Sequence, residues 1–248
     1  MKTGRALMGV FAHPDDETWG PGATFAKYAR GGARVSVIIA TSGQAGRAGG
    51  LASSPEELAA VREREACDAA QVLGISEVYF LGYMDGRLDE ADEREVEEKV
   101  VRLIRRERPD VVVTFGPEGG GNQHRDHKAI SRIATAAVMS AATADTFLHQ
   151  TQQGLGQHSV KKLYYMTTRG VPWEGAEVSF MPVTTVIDIS GLVDLKLEAF
   201  SRHRSQQQWT PRLISWINVN QNAELFHRAF SLFDDLTEIE TDLFAGID

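Results

Sequence analysis

The feature that most constrains this chain is an apolar run, Ala6 to Ala12 (ALMGVFA), that stops abruptly at His13, Pro14 and three consecutive acids, Asp15, Asp16 and Glu17. An apolar stretch without alternation reads as a strand covered on both faces, the setting of a parallel sheet flanked by helices. The polar cluster that follows then sits at the carboxyl end of that strand, which is where open α/β sheets bind their ligands.

The chain continues in the same rhythm. Thr18 to Arg30 carries apolar residues at helical spacing and halts at Gly31 and Gly32, and Ala33 to Ala40 is a β-branched second strand. Thr41 to Ser53, rich in Gly, Ala and Ser, reads as a loop at the rim of the site. Ser54, Pro55 and Glu57 form a capping-box start for a helix that Gly74 closes. Glu77 to Leu81, a charged helix from about Glu90 to Arg108, and Asp110 to Phe115 extend the alternation. Together they predict an α/β fold, a Rossmann-like, mostly parallel sheet with helices on both faces.

Beyond Phe115, the loop GPEGGGNQ leads into HRDH at 124 to 127 and an Ala-rich helix through about Ala142. Val160 to Met166 and Thr184 to Ile189 are expected as strands and Leu192 to His203 as a helix, with the acidic end after Phe233 a surface helix or tail. A chain of 248 residues fits one domain, 1–248, with the portion from about 150 decorating the core.

A formal net charge of -8 argues against a nucleic-acid partner, because such affinity comes from clustered Lys and Arg. The single cysteine, Cys67, allows no intramolecular disulfide and reads as a packed thiol. The first apolar run is too short for a secretory signal, and no run approaches the length of a membrane span. A cytoplasmic protein without a membrane partner is expected; a homo-oligomer is left open.

His13, Asp15, Asp16 and Glu17 supply imidazole and carboxylate within five residues, and HRDH adds two further imidazoles at the same sheet edge. Two histidines and one carboxylate bind zinc while leaving a position for water, which is what hydrolysis needs. Each motif alone has a bland reading as a capped helix start, but two such starts converging on one edge favour a metal site. Spacing leaves open whether His124 or His127 is the ligand.

AHPDDE at 12 to 17 together with HRDH resembles the LmbE/PIG-L-type N-acetylglucosaminyl deacetylase family, which includes mycothiol and bacillithiol pathway enzymes. The likeness extends through TSGQAG at 41 to 46, the helix bearing Arg62 and Glu65, LGYMDG at 81 to 86, and HRSQ at 203 to 206. It implies that His13, Asp16 and His127 hold Zn2+, or another divalent metal such as Fe2+, and that Asp15 is the general base. It further implies that His124 assists the tetrahedral intermediate with Asp126 orienting it, that Arg62 and Asp85 face the sugar, and that the partner is a small acetylated amino sugar. Three positions depart from the common pattern: Gln44, Gln123 and Arg125. Arg125 would bring charge beside the metal, to an anionic substrate or to a surface ion pair. Trp173 and Trp209 are candidates for stacking on a sugar ring.

Rival readings fare worse. A dinucleotide module needs GxGxxG directly behind the first strand, where this chain has carboxylates, and the glycine-rich loop at 116 to 123 has no GK[ST] after it. An amidase acting on a thiol-conjugate or other acylated amine is the alternative within the enzyme class. A non-catalytic metal or sugar binder is the alternative outside it.

Overall fold

The computed structural model describes residues 4–171, 177–233 and 238–247. Seven strands form one sheet in the order β3-β2-β1-β4-β5-β7-β6. They are β1 (Ala6–Phe11), β2 (Arg34–Thr41), β3 (Glu77–Tyr83), β4 (Val111–Phe115), β5 (Lys162–Thr167), β6 (Thr185–Asp188) and β7 (Ala223–Ser231). The first five pair in parallel, and β7 runs antiparallel to both β5 and β6. Both β1 and β4 are buried at every position, which is why their sequences are apolar without alternation.

The helices are α1 (Asp16–Trp19), α2 (Gly22–Arg30), α3 (Pro55–Leu73), α4 (Glu93–Glu107), α5 (Arg125–Ala141), α6 (Leu148–Gln152), α7 (Val193–Arg202) and α8 (Thr210–Val219). The capping signals act as read: the Ser54 side chain accepts from the Glu57 amide, and Gly74 takes a left-handed conformation at the end of α3. The helix expected over Thr18 to Arg30 is two, because Gly20 and Pro21 interrupt it and α1 begins earlier, at Asp16. The charged helix also starts later than expected, capped by the Asp92 side chain.

Chain order runs outward from β1 through β2 to β3 and then returns to β4 on the other side, so the order reverses between β1 and β4. That switch point opens a crevice at the strands' carboxyl ends, and the two polar motifs follow the two strands that border it.

Two expectations fail here. The acidic end is not a surface tail: Leu243, Phe244 and Ile247 are buried, and buried Glu240 accepts from Lys162 Nζ at 2.6 Å and from the Tyr164 hydroxyl at 2.8 Å. Its acidity conceals one buried carboxylate whose cations, Lys162 and Arg228, both lie earlier in the chain. Cys67 is exposed, because α3 turns Arg62, Ala66, Ala69 and Ala70 inward instead. Among the described residues no helix is long and apolar enough to cross a membrane.

Candidate active site

The loop after β1 and the first turn of α5 bring His13, Asp16, His124, Asp126 and His127 together. His13 Nδ1 lies 3.1 Å from His127 Nε2, and the two Asp16 carboxylate oxygens lie 3.5 Å from the first and 3.4 Å from the second. Tautomers follow from the outer contacts. His127 Nδ1 is 3.1 Å from the Gly119 carbonyl oxygen, which can only accept, so the proton is on Nδ1 and Nε2 presents a lone pair. His13 Nε2 faces Asp85 at 3.0 Å and Asp126 at 3.1 Å, so it donates there and Nδ1 presents the second lone pair.

Two imidazole lone pairs and a carboxylate therefore point at one spot, an arrangement that repels unless a cation or a proton sits between them. Tetrahedral zinc with bonds of about 2.0–2.1 Å spaces its donors about 3.3 Å apart, which matches the three separations. His13, Asp16 and His127 thus fit a divalent metal. His13, Asp85 and Asp126 also cluster closely enough to be considered, but the Asp126 carboxylate is already held by the amides of Gly86 and Leu88 at 2.6 and 3.0 Å. Asp85 likewise accepts from the Ala45 amide at 3.1 Å. These two acids serve as outer partners that fix the His13 ring.

Electrostatics agree. Burial works against charge on His13, but the carboxylates of Asp126, Asp16 and Asp85 overcome it and hold its pKa well above the usual value. Burial would raise Asp16, yet His127 and His13 pull it strongly down. Burial lowers His124, and His13 and His127 lower it further. Where charges are this dense, a bound cation and deprotonated ligands replace the proton.

Asp15 stands apart from the ligands. Its backbone is left-handed, with φ 108°, a conformation a non-glycine residue rarely adopts without support from its surroundings. That support is a buried ion pair: Glu17 Oε2 accepts from the Asp15 amide at 2.9 Å, while Glu17 Oε1 meets His203 Nε2 at 2.9 Å. Burial raises the Asp15 carboxyl to about 6, with Arg62 opposing the shift. Arg62 Nη2 lies 3.3 Å from Asp15 and also donates to the Pro14 carbonyl, and Nη1 donates to the Gly43 carbonyl at 3.0 Å. Gly43, at φ 66°, leaves room for that guanidinium, which any side chain there would strike.

Sequence reasoning and geometry differ at several residues. The Asp126 carboxylate faces His13; it is the Asp126 amide that meets His124, donating to Nδ1 at 3.2 Å. His203 stands at the C-cap of α7, its amide donating to the Phe200 carbonyl, and its buried ring is also the partner of Glu17. Arg62 is directed mainly at the Asp15 loop. Arg125 pairs with Asp89 at 2.8 Å and Glu90 at 3.3 Å and is exposed. Gln44 braces the loop by donating to the Tyr83 carbonyl. Trp209 lines the cleft, whereas Trp173 lies outside the described residues. Phe115, stacked on His127 at 3.9 Å, went unread because it looked like the last residue of a core strand.

Comparison with known proteins decides the family. Residues 8–138, more than half of the chain, match the family described as PIG-L: GlcNAc-PI de-N-acetylase. The chain belongs to the PIG-L family. The 1D-myo-inositol 2-acetamido-2-deoxy-alpha-D-glucopyranoside deacetylase of Rhodococcus jostii is 32% identical over an alignment covering 98% of each chain. The N,N'-diacetylchitobiose deacetylase of Pyrococcus horikoshii superposes with a TM-score of 0.76 at 26% identity, covering 92% of this chain and 84% of its own. The same fold is shared by the 4-carboxy-2-hydroxymuconate hydratase GalB of Pseudomonas putida, with a TM-score of 0.76 at 19% identity over 94% and 100% of the two chains. The fold by itself therefore does not fix the chemistry.

Proposed function

We propose that this PIG-L protein is a divalent-metal-dependent hydrolase, zinc being the best fit, that removes the acetyl group from an N-acetylglucosaminyl-type substrate. The observation that carries it is the convergence of His13 Nδ1, His127 Nε2 and the Asp16 carboxylate beside a separate, half-buried carboxylate, Asp15. The deacetylase names of the relatives agree with it.

When bound by His13, Asp16 and His127, the metal would polarise the amide carbonyl and make water a better nucleophile. Asp15, ionised at neutral pH with its carboxyl near 6, takes a proton from the attacking water as the water oxygen bonds to the carbonyl carbon. Arg62 holds that carboxylate in place through Asp15 and the Pro14 and Gly43 carbonyls. His124 accepts the Asp126 amide at Nδ1, so Nε2 carries the ring proton and donates to the oxyanion that develops. The C–N bond then breaks, and Asp15 passes its proton to the departing nitrogen, giving acetate and a free amine. Asp85, which lines the cleft, would accept from a sugar hydroxyl through a lone pair left free by its bonds to His13 and the Ala45 amide.

The test is primary-amine release from N-acetylglucosaminyl compounds by the zinc-loaded protein, with Asp15→Asn beside it. The wild type is expected to release amine, and the variant to keep its metal while losing about 10²- to 10⁴-fold in kcat. Full turnover by Asp15→Asn would remove the base from this scheme. Failure of every N-acetylated sugar with metal bound would overturn the deacetylase reading.

A further inference from the structure

The cleft, about 500 Å³ in volume, changes character away from the ligands. Three of the chain's four tryptophans, Trp19, Trp209 and Trp216, line it, together with Met166, Phe180 and Phe226. They come from α1, the segment preceding α8, α8 itself, and the β5 and β7 side of the sheet. Two of these rings have neighbours that restrain them: the Arg212 and Arg47 guanidiniums lie over Trp209 at 4.8 and 5.9 Å, and Trp19 meets Phe200 edge-on at 5.8 Å.

Of the polar groups on this side, Arg47 and Arg212 lie over the Trp209 ring, and three others are engaged with the protein itself. Glu224 accepts from the Ala23 and Thr24 amides at 3.0 and 2.7 Å and from Lys196 at 2.5 Å. The Thr167 hydroxyl donates to the Met181 carbonyl at 2.6 Å, and Gln206 Nε2 donates to the Arg47 carbonyl at 3.0 Å. Away from Arg47 and Arg212, a polyhydroxyl group placed here would lose its water for few new hydrogen bonds, whereas a flat apolar ring would bury carbon against carbon.

We propose that the substrate's aglycone is aromatic, an aryl group on the amino sugar that packs against Trp209, Trp216 and Trp19 while the acetamide sits at the metal ligands. This rests on the deacetylase reading above and names its substrate class. Continuity of the wall with the metal-ligand end of a single cleft supports it, as does the restraint on Trp209 and Trp19 before any ligand arrives.

The experiment compares kcat/KM for phenyl N-acetyl-β-D-glucosaminide, free N-acetylglucosamine, an N-acetylglucosaminyl-inositol and N-butyrylglucosamine. The phenyl glycoside is expected to exceed free N-acetylglucosamine and the inositol glycoside by about tenfold or more, equivalent to about 1.4 kcal/mol. Trp209→Ala and Trp216→Leu, each checked for an unchanged circular dichroism spectrum, should bring the phenyl-to-free ratio towards one. A ratio near one in the wild type, or a preference for the inositol glycoside, overturns the proposal. So does a preference for the butyryl compound that the Trp variants abolish, which would give the wall to the acyl chain. If no compound is turned over, the deacetylase reading falls, and tryptophan fluorescence still decides the subsite. Saturable quenching by the phenyl glycoside but not by free N-acetylglucosamine supports an aryl site; equal response to both, or none, overturns it.

Discussion

On the β1 and β4 side of the cleft, the functional groups come from short polar runs directly behind buried strands, and nearly every one has a named partner. On the β5 and β7 side the wall is mostly carbon, assembled from residues far apart in sequence; Glu224, Thr167 and Gln206 are turned to the protein, and Arg47 and Arg212 lie over Trp209. The polar side gains its precision from neighbours: His13 is set by Asp85 and Asp126, His127 by Gly119, and Asp15 by Glu17 and Arg62. The apolar side needs only shape. On the proposed function, reaction chemistry would belong to one half of this cleft and the choice of what is carried to it to the other.

The sharpest way to break that contrast is to remove a metal ligand. His127→Ala should abolish stoichiometric metal binding and lower kcat/KM by more than about 10³-fold, since a structural gap replaces one of three donors. Metal content by elemental analysis checks it alongside amine release. A variant that retains one equivalent of metal at unchanged affinity would shift the ligand role to His124 or to the Asp85 and Asp126 pair.

Much of the polar side was legible in the sequence because its residues are local. An apolar run ending in HPDDE and a glycine-rich loop ending in HRDH each announce a strand end and a helix start, and burial on both faces of β1 and β4 follows from their composition. What was not legible depends on distant partners. His203 and Glu17 are separated by 186 positions, and nothing near either one signals an ion pair. β7 is antiparallel and mixes polar with apolar residues because Glu224 faces the start of α2, so its pattern did not read as a strand. The buried end at Leu243, Phe244 and Ile247 was hidden behind acidic neighbours in the same way.

A variant at the seam between the two halves sharpens the comparison. His203 and Glu17 are both fully buried, and His203 reaches the Asp15 backbone through Glu17 and through Thr18. Removing one partner of a buried pair costs about 3–5 kcal/mol, so His203→Ala should lower the melting temperature by about 10 °C in a domain of this size. It should also reduce kcat about tenfold with KM little changed, because the Asp15 backbone loses its brace while the cleft walls stay. His203→Gln, which keeps a donor for Glu17, should recover part of both. A loss of stability with kcat intact would make the pair purely structural.

The smallest effect is expected at Arg125, the residue whose charge most invites a substrate role from sequence. Its guanidinium is half exposed and paired with Asp89 and Glu90, and among the described residues it does not line the cleft. Exposed pairs contribute about 0–1 kcal/mol, so Arg125→Ala should change stability by less than that and kcat/KM by less than about twofold. Arg125 sits one residue from Asp126 and two from His127, so a long-range influence on the metal would also register in this variant. A tenfold loss with an unchanged melting temperature would mean that the polar side extends past the ligand cluster to the mouth of the cleft. The separation between a reacting half and a selecting half would then be less complete than the packing of Trp209 and Trp216 indicates.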